Sequence, residues 1–124
     1  MSSWVKLAVE IKDLSALEEA AHLMGFKTRH NAVGRGGYRE REFEMVITLP
    51  GAYDVGVSRQ AGLSMNYELH ADLAGRDVER AIGEDGGLLK QRYAEVMAGR
   101  VAKKMHKAVH KTKLADGTVQ LTIG

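Results

Sequence analysis

Cysteine is absent from the 124 residues, which excludes a disulfide framework, a thiolate nucleophile and a cysteine-ligated zinc site. Its absence fits a reducing compartment. No apolar run approaches the ~20 residues that cross a bilayer. Met1-Ser2-Ser3-Trp4-Val5-Lys6 also lacks the basic and apolar regions of a secretory leader. The expectation is a soluble protein of the cytoplasm or a plastid stroma, without membrane association. Catalytic signatures are missing as well. There is no His-Glu-x-x-His, no Gly-Lys-Ser/Thr phosphate loop, and no nucleophile elbow around Ser58 or Ser64. Nothing assembles a nucleophile, a base and an electrophile, so catalysis is the weakest reading and no cofactor is expected. Acids are scarce near the C-terminus. Glu95 is the only one between Lys90 and Lys113, against Lys90, Arg92, Arg100, Lys103, Lys104, Lys107, Lys111 and Lys113.

What is present is ordinary globular material. Apolar residues make up 44% and charged residues 27%, so disorder is not the default. A chain of this length can bury a core without metals or disulfides, and one domain over 1–124 is expected. The net charge is only +2, so the remainder of the chain offsets the basic C-terminal stretch. Such a split either faces an anionic partner or is neutralised within the fold.

Val5 to Ile11 alternates apolar and polar residues and predicts a half-buried strand. Asp13 is placed as a helix N-cap, with Leu14, Leu17 and Ala21 at helical spacing and Gly25 just past the end. Phe26 to Val33 predicts a short strand. The glycine-rich segment Gly34 to Arg41 follows as a loop or hairpin tip. Phe43, Met45, Ile47 and Leu49 alternate as a strand closed by Pro50-Gly51. Tyr53 to Val57 and Tyr67 to Leu73 predict two more strands around a turn at Arg59 to Leu63. Asp77 is expected to cap a short helix through Ile82. Leu89, Tyr93, Val96, Met97 and Val101 form a longer helical stripe. Met105 to Leu114 satisfies either period. A two-residue Asp116-Gly117 hairpin turn into Thr118 to Ile123 favours a strand from about His106. Runs of adjacent strands imply an α+β fold, a two-layer sandwich with an antiparallel sheet and helices packed on one face.

Several short motifs recur in one order: Tyr53-Asp54-Val55-Gly56-Val57, Tyr67-Glu68-Leu69, Ala71-Asp72-Leu73, Gly75, Leu89-Lys90-Gln91-Arg92-Tyr93-Ala94 and Asp116-Gly117. In these the chain resembles the hypothetical chloroplast reading frame thirty-five family, a domain of unknown function of cyanobacteria, red-algal plastids and other bacteria. The resemblance covers most of the chain. It departs at Ser3-Trp4, where the family commonly has a Ser-His-Phe-like triplet, and at Ala74, where the family usually has Trp. It implies a soluble protein of such an organism, or of a virus infecting one. It carries no established activity.

Four sets of residues are candidates for function. Arg35, Arg39 and Arg41, with the backbone N–H groups of the glycine loop, suit a small anion or nucleotide, held at a subunit interface. Lys103, Lys104, Lys107 and Lys111, together with Arg35, Arg39 and Arg41, suit nucleic-acid phosphates, although aromatics that would stack bases are scarce around the lysines. His106 and His110 share a face but lack a third metal ligand, and His22, His30 and His70 are scattered. Asp54, Glu68 and Asp72 flank or lie within predicted strands, with Glu68 and Asp72 on one face. The leading expectation is a non-enzymatic binding or adaptor domain that contacts a protein partner and self-associates, the sheet's open edges being a route to homo-oligomers. A nucleic-acid binder and a small-anion binder are the alternatives.

Overall fold

The computed structural model describes residues 4–36, 40–62, 65–105 and 109–123. Its alternating segments become strands: β1 (Val5–Lys6), β2 (Lys27–Gly34), β3 (Arg41–Thr48), β4 (Val55–Arg59) and β5 (Tyr67–Ala71). They pair antiparallel in the order β1-β5-β4-β3-β2. Helices α1 (Leu14–Leu23), α2 (Asp77–Ile82) and α3 (Gly87–Lys104) complete the α+β fold. The last two strands, β6 (Val109–Lys113) and β7 (Val119–Ile123), form a separate antiparallel hairpin.

One core joins the layers. Met45, Ile47, Val55, Val57, Leu69 and Ala71 leave one face of the sheet. They meet Ala16, Leu17, Ala20 and Ala21 of α1, Val78 and Ile82 of α2, and Leu89, Tyr93 and Val96 of α3. Burying one Leu, Ile or Val side chain contributes about 1.5–3 kcal/mol. An exposed ion pair contributes roughly 0–1 kcal/mol. The core therefore outweighs the surface pairs in holding α1 and α3 to the sheet.

Helix α1 begins where its sequence predicts. The Asp13 carboxylate accepts from the Ala16 N–H at 3.0 Å, and Gly25 follows the helix at φ 85°. Elsewhere the structure corrects the sequence. The first strand ends at Lys6, because Val9 N–H turns back to the Leu7 carbonyl at 2.9 Å. Leu7 and Ile11 stay buried, the latter through a single bridge to Tyr67. Asp77 does not cap α2. It is the first helical residue, and Arg76 precedes it at φ 63° with no side-chain cap. The hairpin loop has three residues, since Leu114 N–H donates to Thr118 O across Ala115-Asp116-Gly117. Gly117, at φ 90°, takes the left-handed position that ends such a loop.

Candidate functional site

The helix layer carries a cleft of about 570 Å³ between α1, α3 and β6. Leu23 and Val96 give it apolar floor, and Leu23 is 61% exposed. Arg92, Arg100, Lys103 and Lys111 line it with Glu19 and Glu95. The ion pairs are shared. Lys111 Nζ is 3.2 Å and Arg92 Nη1 3.5 Å from Glu95, while Arg100 reaches Asp13 at 3.4 Å and Glu19 at 3.8 Å. Lys103 and Lys104, exposed in the last turn of α3, have no ion pair among the described residues. Lys107 lies outside the described residues. The basic segment is thus partly neutralised by acids of α1 and α3, and a surplus of positive charge surrounds an exposed leucine.

The arginines of the glycine loop are elsewhere, beside the sheet. Arg35 is spent on Asp54, a fully buried carboxylate. Arg35 Nη2 donates to Asp54 Oδ1 at 2.7 Å and to the Leu49 carbonyl at 2.8 Å. The Arg35 N–H reaches Oδ2 at 3.0 Å, and the Leu49 N–H reaches Oδ1 at 3.3 Å. The Asp54 carboxylate raises the Arg35 pKa above its ordinary value. Arg41 lies over the Phe43 ring, 5.0 Å from its centre. Arg39 lies outside the described residues. The glycines serve packing. A methyl on Gly34 would stand 3.1 Å from the Trp4 ring, and one on Gly36 3.2 Å from Asp72 Cβ. No contact among the described residues joins Arg35 and Arg41 to Lys103, Lys104 and Lys111.

Sheet parity puts a third group on the face away from the helices. Lys6, His70, Gly56, Val46 and Arg29 form one cross-strand row. They alternate with residues that enter the core, so they face the other way. Phe43 joins them, although its spacing from Met45 and Ile47 predicts the core face. The ladder lacks a pair at Asn31 and Glu44, and Asn31 sits at φ 48°. At that irregularity Phe43 turns to the helix-free side, edge-on to Trp4 at 4.9 Å and 6.1 Å from the His70 ring.

His70 is 7% exposed, and its buried Nε2 has no hydrogen-bond partner among the described residues. Glu68 Oε2 is 3.3 Å away but out of hydrogen-bond alignment, and Glu68 also pairs with Lys6 at 3.2 Å. Burial pushes the His70 pKa down, Arg41 adds to this, and Glu68 opposes it. A fourth group ties α1 to β2. Thr28 Oγ1 donates to Glu18 Oε2 at 2.5 Å, His30 Nε2 is 2.7 Å from the same oxygen, and His22 Nε2 is 2.9 Å from Thr28 Oγ1. The Thr28 hydroxyl, against partial desolvation and aided by His30, lowers the Glu18 pKa. His106 and the side chain of His110 lie outside the described residues. No group of three metal-ligating side chains converges among the described residues. Sequence reasoning left His70, His22 and His30 unplaced. For His70 the signal was its parity with Glu68 and Asp72.

An open five-stranded antiparallel sheet with helices on one face defines a small α+β protein. No helix among the described residues is long and apolar enough to cross a membrane. Residues 20–122 match the protein family of unknown function DUF1257, and the chain belongs to that family. Neither the curated proteins nor the solved structures yield a match to it.

Proposed function

We propose that this chain is a protein-binding module whose helix-layer cleft takes an acidic, amphipathic segment of a partner protein. The observation that carries this reading is the exposed Leu23 within a cleft lined by Arg92, Arg100, Lys103 and Lys111. An apolar floor suits the apolar side of such a segment. The surplus of cations steers and orients its carboxylates. Of the three arginines of the small-anion reading, Arg35 is engaged by Asp54. The nucleic-acid reading keeps Lys103 and Lys104, which have no ion pair among the described residues. The resemblance to the chloroplast reading frame thirty-five family, and with it a cyanobacterial or plastid setting in cytoplasm or stroma, belongs to this proposal.

Fluorescence anisotropy tests the reading with a labelled Glu/Leu amphipathic peptide and with single-stranded RNA and DNA, each at two salt concentrations. The peptide is expected to bind, to weaken with salt, and to lose affinity with both Leu23→Ser and Lys103→Glu. Oligonucleotide binding that depends on Lys103 and Lys104 but not on Leu23 would move the function to nucleic acid. No binding by any probe would overturn the cleft.

A further inference from the structure

The molecule's free strand edges differ in chemistry. An open edge offers unpaired N–H and C=O groups to any other strand, and proteins blunt such edges with charge, brevity or irregularity. β1 has two residues. β2 carries Lys27, Arg29 and His30, and Asn31 breaks its regularity at φ 48°. β6 carries Lys111 and Lys113. β7, Val119-Gln120-Leu121-Thr122-Ile123, carries no charge, no proline and no glycine. Three of its five residues are β-branched, the composition that suits a paired strand.

The hairpin also needs support. Two strands alone are marginal in water. Val119 and Leu121 turn toward α3, leaving a gap of about 240 Å³ between them and the helix. Gln120 and Thr122 are exposed on the other side. The Leu114 and Thr118 pair is hydrogen-bonded across the hairpin. Antiparallel alternation then directs the backbone groups of Val119, Leu121 and Ile123 away from β6.

We infer that β7 pairs antiparallel with β7 of a second copy about a twofold axis at Leu121. The two hairpins become one four-stranded sheet, and the unblunted β7 edge is closed. A twofold contact requires a self-complementary surface. An uncharged strand meets that condition, because no like charges face each other across the axis. In this register Leu121 pairs with Leu121, Val119 with Ile123, and Gln120 with Thr122. The dimer does not depend on the cleft reading.

Sedimentation velocity over a wide concentration range tests the pairing, with thermal unfolding as the check on fold. The wild type is expected to reach twice the monomer mass. Gln120→Lys/Thr122→Lys puts lysines directly opposite each other twice and is expected to remain monomeric at the same concentrations. Gln120→Lys/Thr122→Glu places lysine opposite glutamate and is expected to dimerise. It also controls for the mere presence of charge on the strand. A wild type that stays monomeric throughout overturns the inference. So does a Lys/Lys variant that dimerises like the wild type, or a Lys/Glu variant that is folded and monomeric.

Discussion

A methyl group on Gly56 would stand 2.4 Å from three carbons of the Phe43 ring, well inside contact distance. The ring is 3% exposed and flanked by Trp4 and Arg41, so it has little freedom to retreat. Gly to Ala normally gains about 0.4–1 kcal/mol through the unfolded state. Overpacking typically costs about 1–3 kcal/mol and wins. Gly56→Ala is expected to lower the urea midpoint, and Gly56→Ala/Phe43→Leu to recover part of it. An unchanged midpoint for the single variant would mean the ring does not sit on Gly56. Asp54 offers a second test. Its loss frees Arg35, whose side chain is 48% exposed and returns to water at little cost. The Arg35 and Leu49 N–H groups lose their carboxylate acceptor, worth about 1–3 kcal/mol for a buried donor left unpaired. Asp54→Ala should therefore destabilise by that order in urea titration, and Arg35→Ala by less, since Arg29 at 3.5 Å, the Leu49 N–H and the backbone N–H at position 35 still face the buried carboxylate.

Elements were legible where a local signal fixed them. Asp13 and Gly25 bracket α1 because a cap and a left-handed glycine act within one turn. The strand periods of β3 and β5 were equally readable. What failed depended on tertiary or backbone detail outside any local window. The turn at Leu7 to Val9 cuts β1 short, and the irregularity at Asn31 sends Phe43 to the other face. The separation of the β6-β7 hairpin from the main sheet is a pairing choice that alternation does not encode. One contact joins elements that the sequence kept apart. The Tyr93 hydroxyl of α3 accepts from the Lys12 and Asp13 N–H groups at 3.0 and 3.2 Å, at the start of α1. Tyr93→Phe keeps the ring in the core and leaves both donors without that acceptor. A loss of about 1–3 kcal/mol is expected. Hydrogen exchange should show the extra opening concentrated at the α1 N-terminus, and uniform loss across the molecule would contradict this link.

At the scale of the molecule, charge was readable as a sum and unreadable as a layout. The basic stretch stood out in sequence, but the acids that partly neutralise it, Asp13 and Glu19, lie some eighty residues away on α1. The parity of His70 with Glu68 and Asp72 was readable, but its burial exists only once five strands are assembled. Its consequence is global, since a small domain unfolds as a unit. Burial holds the folded His70 pKa below its ordinary 6.5. As pH falls through 6.5 the unfolded chain takes up a proton that the folded chain resists, so stability present above 6.5 is lost toward the folded value. Glu18 acts lower, because the Thr28 hydroxyl holds its pKa below 4.5. Its contribution is present above 4.5 and lost as pH falls through the folded value. Thermal midpoints measured across pH should therefore decline in two stages on acidification. His70→Leu should flatten the upper stage and leave the lower one, while Glu18→Gln should do the reverse. The difference between the variant and wild-type curves isolates His70. A His70→Leu curve parallel to wild type from neutral pH down to the carboxylate range would show that the imidazole is solvated in the folded protein.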